Sequence, residues 1–201
     1  SPKLQLSFDT HQIAQQGRIT RDVELRNVMA ILPGKSPRRI YITGHYDSVN
    51  LGSGGQAALN AGSSNPQGTR TDINENAAPG ANDDGSGTVL TMELARVFAE
   101  SGIEFDATLV FMCWAGEEQG LIGSMAHAQR LAADRVVVEA NFNNDIIGNS
   151  LGGNGQVDAK TVRIYSLGPE DNMSRSLARY IERIAAVYVP SHRIRLMARE
   201  D

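Results

Sequence analysis

Phe111-Met112-Cys113-Trp114-Ala115-Gly116-Glu117-Glu118-Gln119-Gly120 is the stretch on which the reading of this chain turns. An apolar, β-prone run stops at Gly116, and two adjacent carboxylates follow at once. A strand ending in a tight turn holds such a pair at the lip of a sheet. Neighbouring residues there point in different directions, so one carboxylate can take a metal ion while the other stays free as a base. Taken alone, a Glu-Glu pair is an ordinary solvated acidic turn, because Glu is a surface residue. Three further segments change that reading.

The first is Tyr41-Ile42-Thr43-Gly44-His45-Tyr46-Asp47-Ser48, which predicts a strand over 39–43, broken at Gly44, with His45 just past its end. The second, Ala78-Pro79-Gly80-Ala81-Asn82-Asp83-Asp84-Gly85-Ser86-Gly87, runs into a stretch whose apolar residues Val89, Met92, Leu94, Ala95, Val97 and Phe98 recur with a helical rhythm. In the third, Phe142-Asn143-Asn144-Asp145-Ile146-Ile147-Gly148, a β-branched run from Val136 leads toward an acid. Each segment sets a His or a carboxylate at a strand end or a helix start. In open α/β sheets, sites form in the crevice beyond the carboxyl ends of the strands.

Along the rest of the chain the same signals predict strands over 4–8, 23–32, 106–114, 136–143, 162–167 and 193–197, and helices over 84–101, 120–133 and 171–188, the first of these helices closed by Gly102 as its C′ residue. Strands alternating with helices predict an α/β fold, a three-layer α/β/α sandwich on a mixed, mostly parallel central sheet. One domain over 1–201 is expected. Residues 49–79 are rich in Gly, Ser, Asn and Ala without periodicity, which predicts a long loop, placed as a flap at the cleft between the first candidate ligand and the Asp83-Asp84 pair.

The pieces GHYDS, PGANDDGSG, GEEQGLIGS and NNDIIG, in this order and spanning about 27–148, resemble the zinc aminopeptidases of the M28 family, the two-zinc exopeptidases typified by bacterial leucyl aminopeptidases. The resemblance implies that His45 binds one zinc and Glu118 the other, that Asp83 bridges the two, and that Asp145 completes the site of His45. It makes Glu117 the general base and Asp47 the acceptor of the far imidazole N–H of His45, and it implies a cis peptide at Asp83-Asp84. A peptide with a free amino terminus is the implied substrate, two zinc ions per complete domain the implied cofactor, and a secreted or periplasmic location the implied setting.

The chemistry asks for the same residue types. Zinc takes nitrogen and oxygen ligands and in catalytic sites keeps one position open. A carboxylate can bridge two ions through its two oxygens. A free Glu can take a proton from the attacking water and hand it to the leaving amine, and a carboxylate two residues from a ligating His can fix its tautomer. Asp84 carries no metal role here and reads as a first-turn carboxylate favoured by the helix dipole.

The family pattern closes on a further His in a Gly-Asp-His-like context. The present sequence closes on Met197-Ala198-Arg199-Glu200-Asp201, which resembles the approach to that motif. The expectation is therefore a fragment that holds at most one zinc tightly, at His45, Asp83 and Asp145, with impaired catalysis. His11, His127 and His192 are expected as surface imidazoles and not as ligands.

Composition fits an enzyme domain: 41% hydrophobic and 21% charged residues support a core, and no apolar run approaches a membrane span. A net charge of −4 without a basic stripe speaks against a nucleic-acid partner. Cys113 is the sole cysteine, expected as a buried thiol in an apolar strand. Two other readings stand beside the aminopeptidase. One is a single-zinc acyltransferase resembling glutaminyl cyclases; the other is a non-catalytic relative that uses the fold as an interaction module.

Overall fold

The computed structural model describes residues 4–49, 78, 80–152, 154–168 and 172–199. The expected cleft-side flap over 49–79 falls almost entirely outside them.

The first unit, 1–148, is built on a five-stranded sheet. Its strands are β1 (Gln5–Ile13), β2 (Val23–Leu32), β3 (Ser36–His45), β4 (Ala107–Trp114) and β5 (Val138–Asn143), in the order β1-β2-β4-β3-β5. β1 pairs with β2 and β2 with β4 antiparallel, while β4–β3 and β3–β5 are parallel. The expected mixed α/β architecture is present, with its four pairings divided evenly between the two senses. β4 is the central strand, buried on both faces, as a continuous run such as Leu109-Val110-Phe111-Met112 requires.

Among the described residues, two helices cover this sheet. α1 (Gly85–Glu100) packs on the face formed by Leu32, Ile42, Leu109 and Phe111, to which it contributes Ala95 and Ala99. α2 (Ile122–Ala133) sends Leu131 to the opposite face, against Tyr41, Val110, Met112 and Trp114. The buried stripe of α1 is Gly87, Thr91, Ala95 and Ala99. Of the residues in the sequence rhythm, Ala95 is buried and Leu94 and Phe98 pack against this core, whereas Val89, Met92 and Val97 are exposed. The small residues prevail because the helix lies close to the sheet. A Cβ on Gly44 would stand 2.7 Å from the carbonyl carbon of Gly87, and a Cβ on Gly87 would stand 2.1 Å from the carbonyl oxygen of Asn144. α1 ends as expected, with Gly102 at φ +72° just past the cap.

The second unit, 149–201, contains β6 (Thr161–Leu167), α3 (Met173–Tyr188) and β7 (Arg193–Arg199). β6 and β7 are parallel, in register from Thr161 with Arg193 to Leu167 with Arg199, and α3 supplies the crossover that a parallel pair needs. Asn172 caps α3 by accepting a hydrogen bond from the Arg175 N–H at 2.8 Å. Among the described residues, no helix is long and apolar enough to cross a membrane.

Candidate metal centre

Three neighbouring parallel strands, in the order β4-β3-β5, deliver the candidate residues from their carboxyl ends. His45 is the last residue of β3, paired with Trp114, and not a residue beyond the strand as the Gly44 break suggested. Glu117 and Glu118 follow β4, and Asp145 follows β5. Asp83 and Asp84 precede α1 and are joined by the expected cis peptide bond.

His45 is 2% exposed and held at three points. Its main-chain N–H donates to Asp84 Oδ2 at 3.0 Å, its carbonyl accepts from Thr88 Oγ1 at 2.7 Å, and its Nδ1 lies 3.0 Å from the main-chain oxygen of Asp47. Its Nε2 faces acids: Asp83 Oδ1 at 3.0 Å, with Asp145 Oδ2 and Glu117 Oε2 each at 3.9 Å. Burial disfavours the imidazolium, but Glu117, Asp145, Asp47 and Asp84 outweigh it and raise the His45 pKa.

His45, Asp83 and Asp145 place one ligand atom each within 4.8 Å of one another. Glu118 stands outside that triplet. Burial, together with the charges of Asp83 and Glu117, pushes its carboxyl up to about 7. Burial and the charges of Asp145, Asp47 and Asp83 push Glu117 up as well, against the pull of His45. An imidazole aimed into converging carboxylates is a nitrogen–oxygen donor set for a borderline cation such as zinc, and a dication would relieve the repulsion that raises these acids.

Asp47 sits differently from its expected place. Its carboxylate is 3.7 Å from His45 Nδ1, and the main-chain carbonyl takes the imidazole contact instead. The carboxylate accepts the N–H groups of Glu117 at 3.1 Å and Glu118 at 3.0 Å, so it holds the turn that carries both acids. Gly116, at φ +70°, lets the chain make that turn.

Sequence reasoning missed how the start of α1 organises the centre. Asp84 is 1% exposed and is the N-cap residue of α1. Besides the His45 N–H it accepts those of Gly87 at 2.9 Å and Ile146 at 3.3 Å. Burial pushes its carboxyl up, against these three N–H groups. Ser86 Oγ accepts the Ile147 N–H at 3.1 Å and Asn82 Oδ1 the Gly148 N–H at 2.9 Å. Three consecutive N–H groups after Asp145 thus dock on alternate residues of the α1 start. The signal lay in Asn82-Asp83-Asp84-Gly85-Ser86, where cap-forming residue types alternate.

The histidine expectation needs correction at His127. It is 2% exposed and not a surface imidazole. It lies between Asp9 Oδ2, 2.7 Å from Nδ1, and the Tyr41 hydroxyl, 2.9 Å from Nε2. A helix position hid this because both partners are distant in sequence. His192 is exposed, as expected, while His11 is partly buried against Asp9.

The open mixed sheet that carries this centre has counterparts among solved structures. Solved structures of this fold include the Legionella pneumophila LapA aminopeptidase, 21% identical over 96% of this chain and 41% of that one, with a TM-score of 0.62. A Zn-dependent exopeptidase from Parabacteroides distasonis is 12% identical with a TM-score of 0.66 and 98% and 63% coverage. Porphyromonas gingivalis glutaminyl cyclase is 13% identical, also with a TM-score of 0.66 and with 98% and 62% coverage. At such identities the likeness concerns the fold alone.

The chain belongs to peptidase family M28, whose model matches residues 27–193. It is 38% identical over 207 aligned positions to a probable zinc metalloprotease of Pyricularia oryzae, covering 92% of this chain and 37% of that protein. It is 40% identical over 171 positions to a probable zinc metalloprotease of Pyrenophora teres, covering 83% of this chain and 31% of that protein. The chain thus spans about a third of the length of these relatives.

Proposed function

We propose that the protein is a zinc aminopeptidase, cleaving the amino-terminal peptide bond of a peptide whose free amine is read by the acids around the centre. The observation that carries this reading is His45 Nε2 facing Asp83 and Asp145, with Glu117 close by and held on its own turn. His45, Asp83 and Asp145 would hold one zinc, and Asp83 and Glu118 would contribute to holding a second. Zinc supplies a Lewis acid that polarises the scissile carbonyl and makes water more acidic.

The remaining work falls to the chain's own groups. Glu117 accepts the proton of the attacking water and returns it to the leaving amine nitrogen. Asp47 positions Glu117 and Glu118 together through their N–H groups. Asp84 fixes the main chain at His45 and after Asp145. That the family model matches 27–193 supports treating both units as parts of one catalytic domain.

A glutaminyl-cyclase reaction is the second reading, supported by the fold likeness at a TM-score of 0.66. The relatives named as metalloproteases at 38% and 40% identity favour hydrolysis. The deciding experiment follows the whole protein with an amino-terminal chromogenic amide and with a glutaminyl peptide, alongside its zinc content. Amide hydrolysis with zinc bound is the expected result; cyclisation without hydrolysis would replace the proposal with the second reading.

A further inference from the structure

A second set of donors lies away from this centre, between the edge strand β1 and α2. Asp9 Oδ2 is 2.8 Å from His11 Nε2 and 2.7 Å from His127 Nδ1, and it accepts from Asn27 Nδ2 at 2.9 Å. Three donors therefore crowd onto one buried oxygen. The other oxygen, Oδ1, forms an ion pair with Arg130 but accepts no well-directed hydrogen bond. Asp9 is 1% and His127 2% exposed, while the His11 side chain is 13% exposed.

The geometry points to a zinc-binding site formed by Asp9, His11 and His127, separate from the metal centre of His45. The three ligand atoms all lie within 4.8 Å of one another. Zinc bonded to nitrogen and oxygen at about 2.0–2.2 Å in a tetrahedron sets its ligands roughly 3.3 Å apart. Each imidazole has to retreat from Asp9 Oδ2 by only about half an ångström to admit the ion.

The surroundings suit that ion. His127 Nε2 faces the Tyr41 hydroxyl at 2.9 Å, a partner for the imidazole proton when Nδ1 gives its lone pair to zinc. Asn27 orients Asp9 in the same way, and it is itself anchored on the Gly123 carbonyl at 3.1 Å. Binding needs no net loss of protons from neutral imidazoles: each moves its proton to the nitrogen that faces away from the metal. The partly exposed edge at His11 gives the ion a path in and leaves the fourth position to water. Two imidazoles and one carboxylate favour zinc over calcium or magnesium, which take oxygen ligands. Arg130, with a side chain 46% exposed, keeps its contact on Oδ1 and leaves Oδ2 to the metal. The bound ion would staple β1, paired among the described residues with β2 alone, to α2.

The test uses equilibrium dialysis against zinc, with metal content measured on the whole protein carrying His45→Ala and on the His45→Ala/His11→Ala double variant. His11 lies at the rim, so the double variant keeps its fold, which circular dichroism checks. The expected result is one zinc fewer in the double variant than in the single one, whatever ion Asp83 and Glu118 retain in both, with affinity for that one zinc falling by about 100-fold. Zinc should also raise the melting midpoint of the single variant by more than that of the double variant. Equal zinc uptake and equal melting shifts in the two variants would overturn the site. So would a His45→Ala protein whose zinc content shows no dependence on His11.

Discussion

The carboxylate of Asp84, a residue 1% exposed, receives the main-chain N–H of His45 at 3.0 Å. The same carboxylate receives Gly87 and Ile146. One side chain therefore ends β3, starts α1 and fixes the segment after β5.

Asp84→Ala takes the acceptor from the buried N–H groups of His45 and Gly87 and from the part-buried N–H of Ile146, and with the Gly87 bond it removes the N-cap of α1. The expected cost is about 2–4 kcal/mol, about 1 kcal/mol for the cap bond to Gly87 and about 1–3 kcal/mol for the buried His45 N–H left unpaired. Urea denaturation measures it. Asp84→Asn keeps one acceptor oxygen and should lose less; equal stability of Asp84→Ala and the parent protein would sink this account.

Asp47→Asn separates the two tasks that an aspartate could have here. The imidazole of His45 rests on the main-chain carbonyl of Asp47, which the substitution leaves in place. The pair of N–H groups from Glu117 and Glu118 loses one of its two acceptor oxygens. Zinc at His45, Asp83 and Asp145 should be retained while kcat falls by about 10–100-fold and KM changes little. Loss of that zinc instead would restore the carboxylate to the imidazole.

Glu117→Gln preserves shape and hydrogen-bonding reach but cannot accept a proton as a carboxylate does. Turnover should fall by about 10²–10⁴-fold with zinc content unchanged. Undiminished kcat would remove Glu117 from proton transfer.

Gly87→Ala puts a methyl group 2.1 Å from the Asn144 carbonyl oxygen and 2.5 Å from the Asp84 carboxylate. Backbone on one side and a buried cap on the other have little room to give. A loss of about 1–3 kcal/mol is expected, the usual range for overpacking, visible as a lower melting midpoint. A neutral substitution would mean that α1 can shift away from β3.

The strands were legible where apolar runs end in clear punctuation. Val23–Leu32 coincides with its prediction, and the four site segments were found because each sets a His or an acid where a run stops. The buried face of α1 was legible only in part, at Leu94, Ala95 and Phe98. Hydropathy weights Val89 and Met92, whereas the helix approaches the sheet through Gly87, Thr91, Ala95 and Ala99. Size decides such a face, and the helical period alone carries no record of how near the sheet comes. His127 escaped for another reason. Its partner Asp9 lies 118 positions away, and nothing near His127 in the sequence announces a buried carboxylate. Asp47 was placed near the right residues, but which of its oxygens meets which hydrogen depends on the Glu117 turn folding back over it.

The docking of Ile146, Ile147 and Gly148 onto Asp84, Ser86 and Asn82 also orders events in time. These contacts join positions 62, 61 and 66 residues apart, whereas His45 and Asp84 are 39 apart. Closing the longer loops has the larger entropic cost, so the shorter pairing is favoured to form first. Asp145 then takes its position only when β5 lies along β3. A refolding chain would acquire its full set of acids around His45 at the arrival of its last strand in that sheet, and a metal-sensitive signal would clock that arrival.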